Sequence, residues 1–101
     1  MPEWVYLCRI DEVPNGRGRT IEAAGARLAV IRDGDSVVVI SDHCPHAGGS
    51  LGSGWVEDGE LLCPLHRWRF RHRDGRCTTT RGHDVHPYRV KLDDSAVWAW
   101  L

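Results

Sequence analysis

The chain has 101 residues, 42% of them hydrophobic and 27% charged, with a formal net charge of −1. These figures suit one globular domain over residues 1–101, and the near-neutral charge argues against general nucleic-acid binding. No apolar run approaches the roughly 20 residues a membrane helix needs, and Met1-Pro2-Glu3-Trp4 lacks the basic-then-apolar order of a secretory signal, so a cytoplasmic protein with no membrane partner is expected.

In chain order, Trp4–Cys8 is rich in β-formers and ends at the turn chemistry of Val13-Pro14-Asn15-Gly16. Residues Ile21–Ala24 form the one stretch with helical character, which Gly25 ends early. Arg27–Ile31 and Val37–Ile40 flank Asp33-Gly34-Asp35 and read as a hairpin. Glu60–Cys63 is a short strand after the turn Glu57-Asp58-Gly59. Trp68–Arg71 alternates large and charged side chains before Asp74-Gly75 turns the chain. Tyr88–Leu92 alternates with period two, and Asp93-Asp94-Ser95 separates it from Ala96–Trp100. Many short strands with regular turn signals predict an all-β antiparallel sandwich or barrel.

Residues 42–54 break this texture, being poor in β-formers and dense in glycine and serine. A loop of that length in a small domain is usually functional. It opens with Asp42-His43-Cys44-Pro45-His46, and Cys63-Pro64-Leu65-His66 follows the next strand. The pattern is Cys-x-His, sixteen intervening residues, then Cys-x-x-His. Cysteine beside histidine at short spacing is how metal sites look. Two such loops at one end of a β domain can close on a metal centre. Cys8 and Cys77 stand alone and are expected as free thiols, since a bridge between them is disfavoured in a reducing compartment.

The run Cys44–Leu51, then Gly54, then Cys63-Pro64-Leu65-His66-Arg67-Trp68-Arg69-Phe70, then Gly75 resembles the Rieske family. The resemblance extends to the late strands and implies a Rieske-type β-sandwich with two cluster-binding loops at one end. It implies one [2Fe–2S] cluster, with Cys44 and Cys63 on one iron and His46 and His66 on the other. Two ferric ions, two sulfides and two thiolates sum to zero charge, whereas four thiolates would leave the oxidised cluster at minus two. Histidine ligation therefore eases reduction, and the added electron favours the histidine iron. Gly48 and Gly49 are expected to bring backbone N–H groups close to the sulfides, and Pro45 and Pro64 to stiffen the loops. Gly52 and Gly54 read equally well as ordinary turn residues.

Departures from the family's high-potential respiratory members set the subclass. Those proteins carry a loop-bridging disulfide where this chain has Gly49 and Leu65, and a serine donor to a sulfide where it has Trp68. Fewer donors to sulfur imply the low end of the range, roughly −150 mV rather than +300 mV.

Of the other candidates, His43, His72, His83 and His86 lack ligand spacing and are expected at the surface or at strand ends. Trp68 and Phe70 flank the second loop and are expected either to shield the cluster or conduct electrons or, as the favoured reading, to pack beneath the loop. Arg67, Arg69, Arg71, Arg73 and Arg76 fall within ten residues, with Arg81 just beyond. The first three alternate and would share one face of a strand beside His66, either simply solvated or available to an acidic docking surface. No Ser-His-Asp or paired-carboxylate set stands out.

The resemblance therefore implies a one-electron carrier rather than an enzyme, passing electrons from a flavin-dependent reductase to a terminal oxygenase. A small subunit of an NAD(P)H-dependent nitrite reductase, bound to its large subunit, is the second reading. A structural zinc domain on the same residues is the third, against which the spacing argues, because zinc fingers pair their ligands more tightly.

Overall fold

A computed structural model describes residues 2–46 and 48–101. The described residues form nine strands: β1 (Trp4–Arg9), β2 (Gly18–Ala23), β3 (Ala26–Asp33), β4 (Ser36–Ser41), β5 (Trp55–Glu57), β6 (Glu60–Leu62), β7 (Arg69–Arg71), β8 (Val90–Asp93) and β9 (Ala96–Trp100). Single 3-10 turns, Ile10–Glu12 and Leu51–Ser53, complete the regular structure. The strands make three antiparallel sheets, ordered β1-β9-β8, β2-β3-β4 and β5-β6-β7.

The central sheet is the partition of the domain. On β3, Leu28 and Val30 join Leu7, Val13, Val39 and Val97 in one buried cluster, while Ala29 and Ile31 join Ile40, Leu51, Leu61 and Phe70 in another. A strand buried on both faces reads as a continuous apolar run, and Leu28–Ile31 is one. The second cluster also contains Cys44 and Cys63, so the base of both metal-type loops is part of the core. Phe70, fully buried, lies beneath them as expected; its burial contributes about 2–3 kcal/mol.

Local chemistry explains the hairpins. Asp58-Gly59 and Asp94-Ser95 both have positive φ at two consecutive residues, the type I′ geometry that matches the twist of paired strands. Ala24-Gly25 does the same between β2 and β3. This corrects the helical expectation for residues 21–24. Ile21 pairs with Leu28 and Glu22 with Arg27, so cross-strand pairing overrides the local helix preference of Glu-Ala-Ala. Strand boundaries also move. Trp55–Glu57 is a strand where only the following turn was expected, Trp68 precedes β7, and β8 begins at Val90 rather than Tyr88.

The face of β1, β9 and β8 turned away from the core is aromatic. Trp4 meets Trp100 edge-on at 5.3 Å and Tyr6 meets Trp98 at 5.6 Å, with Lys91 Nζ 4.6 Å from the Trp4 ring.

Candidate metal centre

Two loops project from the same end of the domain. The first, residues 42–54, links β4 to β5, and a bridge between His43 and Ser50 makes it a hairpin in its own right. The second, residues 63–68, links β6 to β7 and is closed by the Cys63 N–H donating to the Trp68 carbonyl at 2.9 Å. Ala47, inside the first motif, lies outside the described residues.

The four side chains singled out by spacing come together as two pairs. The Cys44 and Cys63 thiols are both buried in the same core cluster. The His46 and His66 rings are exposed, with their Nδ1 atoms 3.4 Å apart. Two nitrogens held about 2.1 Å from one tetrahedral ion stand roughly 3.4 Å from each other. The imidazole pair therefore has the spacing of two ligands on one metal, and the thiol pair offers softer ligands to a second. Among the described residues, no group of three or more His, Cys, Asp or Glu is placed to hold a single metal ion. A thiol pair beside an imidazole pair offers ligands to two adjacent metals.

Burial pushes the Cys63 thiol up to about 11, opposed by the Leu65 N–H that donates to its sulfur and reinforced by the Cys44 thiol and the Asp42 charge. A thiolate there needs a metal's charge to compensate it. In iron-free protein at pH 8, Cys63 is expected to alkylate with iodoacetamide about 100-fold more slowly than in the unfolded chain, as read by peptide mass mapping. The sign for stability follows. The unfolded chain ionises Cys63 first, so the iron-free fold loses stability as pH rises from the ordinary thiol value towards about 11.

Backbone conformation positions the imidazoles. His66 and Arg67 sit consecutively in the left-handed region, at φ 70° and 58°. Two such residues in succession store of order 1 kcal/mol each, and they turn the second loop sharply.

The glycines behave differently from expectation. The Gly48 N–H is occupied by the Cys44 carbonyl at 2.9 Å, so at φ +74° Gly48 closes the first loop rather than facing sulfur. Gly49 makes the close approach instead: a Cβ there would stand 2.9 Å from Cys63 Sγ and 2.9 Å from Leu65 Cβ. Gly52 and Gly54 are not interchangeable turn residues. A Cβ on Gly52 would collide with Thr20 Oγ1, and one on Gly54 with the Leu62 carbonyl.

Gly49 and Leu65 are thus in contact across the two loops, at the positions where the high-potential pattern has its disulfide. A Gly49→Cys/Leu65→Cys variant should close a bridge once the loops separate by roughly 0.6–0.9 Å, which takes the 2.9 Å Cβ–Cβ distance to that of a disulfide. The bridge should add about 3 kcal/mol to the stability of the iron-free protein. Loss of two hydrogens by intact mass and a reductant-sensitive rise in Tm check this; an unbridged, destabilised variant contradicts it.

Spacing did not reveal Asp42. Its carboxylate is 3% exposed. It accepts from the Gly52 N–H at 2.7 Å, from Ser50 Oγ at 2.8 Å, from Thr20 Oγ1 at 3.0 Å and from Arg27 Nε at 3.1 Å. It ties the first loop to β2 and β3 two residues before Cys44. The Asp-x-Cys step was visible in sequence, but its partners were not.

Trp68 takes the less favoured of its two expected places. It is half-buried, and its ring stacks on His46 at 4.0 Å and 9° while meeting the edge of His83 at 5.2 Å. The indole therefore lies along a candidate ligand instead of wholly beneath the loop. His72 stands at the end of β7, one of its two expected places, but is buried, with Nε2 3.0 Å from the Ile31 carbonyl. His43 and His86 are exposed, as expected. Among the described residues Cys8 and Cys77 are free thiols, and burial pushes the Cys8 thiol up.

The arginine face is partly corrected. Arg69 pairs with Glu60 at 3.1 Å and Glu57 at 3.6 Å, and Arg71 pairs with Asp74, so these two are occupied by internal acids.

Two loops at one end of an all-β domain, with paired buried thiols and paired exposed imidazoles, define a metal-cluster protein. The chain belongs to the Rieske [2Fe–2S] domain family, whose match covers residues 3–90. It is 34% identical over 93 residues to the anthranilate 1,2-dioxygenase ferredoxin subunit of Burkholderia cepacia, covering 89% of this chain and 86% of that protein. The ferredoxin of carbazole 1,9a-dioxygenase from Nocardioides aromaticivorans IC177 superposes with a TM-score of 0.82 at 32% identity, covering 98% of this chain and 96% of that one. A structure described as a nitrite reductase NADPH small subunit superposes at 0.85 with 28% identity, covering 98% of both chains. Against longer curated relatives, such as the cholesterol 7-desaturase nvd of Xenopus laevis, 36% identical over 95 residues and 92% of this chain, the chain spans about a fifth of the relative's length. No helix among the described residues is long and apolar enough to cross a membrane.

Proposed function

We propose that Cys44 and Cys63 hold one iron and His46 and His66 the other iron of a single [2Fe–2S] cluster. In this reading the chain, as one domain over residues 1–101, is a low-potential carrier between a flavin-dependent reductase and a terminal oxygenase. The observation that carries it is the 3.4 Å separation of the His46 and His66 Nδ1 atoms above a buried thiol pair. When bound, the cluster supplies reversible one-electron chemistry. The protein's part is to hold the thiols away from water, to orient both imidazoles with Nδ1 inward, and to leave the ring edges at the surface for a partner. Pro45, Pro64 and Leu65, next to the histidines in the chain, are exposed and add apolar surface to the loop tips.

Electron paramagnetic resonance after dithionite reduction tests the cluster. A rhombic signal with average g below the free-electron value is expected, and its absence from iron-loaded protein overturns the reading. Redox titration should place the midpoint near the low end of the range, roughly −150 mV; a midpoint above zero contradicts the low-potential reading.

The second reading, a nitrite reductase small subunit, is favoured by the superposition at TM-score 0.85 over 98% of both chains. Turnover with an isolated flavin reductase and an oxygenase supports the first reading. Co-purification with a large subunit containing flavin and sirohaem supports the second.

A further inference from the structure

We propose that the arginine-lined groove formed by residues 71–84 receives an acidic segment of the redox partner. This rests on the electron-carrier reading and adds the chemistry of the partner to it.

Residues 67–81 contain six arginines and one acid, Asp74, in a chain whose net charge is −1. The structure sorts those arginines. Arg69 and Arg71 are held by internal carboxylates. Arg73 lines a separate groove with Asp33, Asp58 and Glu60. Among the described residues no ion pair engages Arg67, Arg76 or Arg81, and all three are exposed. Arg76 and Arg81 line one groove together with Thr78, Gly82 and the Asp74-paired Arg71. Its one acid, Asp84, accepts the Cys77 N–H at 2.8 Å.

The groove adjoins the candidate centre. Arg81 and Gly82 lead directly into His83, whose ring meets Trp68 at 5.2 Å, and Trp68 stacks on His46 at 4.0 Å. A segment lying in the groove is thereby brought beside the imidazole edge. The cations are exposed and spaced along an open channel, with no buried donors converging on one point. That geometry suits a run of carboxylates, each met by a guanidinium fork, better than one small anion. Positive charge beside the transfer edge also steers a negatively charged partner against the sign of the whole chain's charge.

The test uses cluster-loaded protein and two probes of known charge. Reduced wild-type protein is oxidised by ferricyanide, one electron passing from the cluster to give ferrocyanide. The rate should fall as ionic strength rises, although the net charge of −1 alone gives the opposite slope. Arg76→Glu/Arg81→Glu should be about ten-fold slower at low salt and converge with wild type at high salt. Its visible spectrum should be unchanged; if that variant does not fold, Arg76→Gln/Arg81→Gln replaces it, with a smaller loss of the same sign. An octaglutamate peptide should shift the amide resonances of residues 76–84, and octalysine should not. A rate that is flat or rises with salt, a variant as fast as wild type at low salt, or inorganic phosphate shifting the same resonances as strongly as octaglutamate overturns the proposal. The peptide measurement needs no electron transfer. A centre that dithionite and ferricyanide cannot cycle defeats the carrier reading separately.

Discussion

His66→Cys should retain a [2Fe–2S] chromophore and lower its midpoint potential by on the order of 100 mV, whereas His66→Ala should lose the cluster. The argument is one of charge. Replacing a neutral imidazole by a thiolate adds one negative charge to the centre and makes a further electron harder to accept. Clusters with two histidines and those with four cysteines differ by roughly 250 mV even at the low end of the histidine range, so a single exchange is expected to give about half of that. The site can accommodate the change because His66 sits at a loop tip with its backbone already turned into the left-handed region at φ 70°. Alanine supplies no ligand and leaves the His46 Nδ1 without the partner that stands 3.4 Å away. Redox titration and iron analysis read both variants. An alanine variant with full iron content and an unchanged signal would remove His66 from the ligand set.

Asp42→Ala should cost about 3 kcal/mol and lower Tm by about 15 °C, with faster loss of iron to a chelator. The substitution leaves the buried Gly52 N–H without its 2.7 Å acceptor and releases the Thr20 and Ser50 hydroxyls. The Arg27 pair adds little to this total, because the Arg27 side chain is 63% exposed. Asp42→Asn keeps an oxygen for Gly52 and should recover a large part of the loss. It also removes a negative charge that acts on the Cys63 sulfur, so the midpoint potential of the asparagine variant should rise by some tens of millivolts. Thermal unfolding, chelator kinetics and titration separate the two effects. A stability equal to wild type in both variants would mean that the first loop is anchored elsewhere.

The four candidate ligands were legible because their information is local. Cys-x-His and Cys-x-x-His place each pair of donors within one turn of chain, and prolines and glycines mark where the strands stop. The hairpins at Asp58-Gly59 and Asp94-Ser95 were legible for the same reason: a two-residue turn needs positive φ, and those residue types tolerate it. The Ile21–Ala24 segment misled because Glu-Ala-Ala favours a helix until Ile21 has Leu28 to pair with. The neighbours of Asp42 lie as far as 22 residues away, and the carbonyl that meets His72 lies 41 residues away. No local pattern encodes such contacts.

The four-residue motif, and with it the family and its cofactor, follow from residue types at fixed short spacings, which survive any arrangement of the rest of the chain. How the motif is held depends on long-range packing. Only the folded chain sets the two Nδ1 atoms 3.4 Å apart, lays Trp68 against His46, and places Gly49 against Cys63. It also divides the arginines, closing Arg69 and Arg71 into internal ion pairs and leaving Arg76 and Arg81 along a groove. A ligand's identity is a property of one side chain. Its orientation, its shielding from water and the charge around it are properties of neighbours that meet only when the sheets pack.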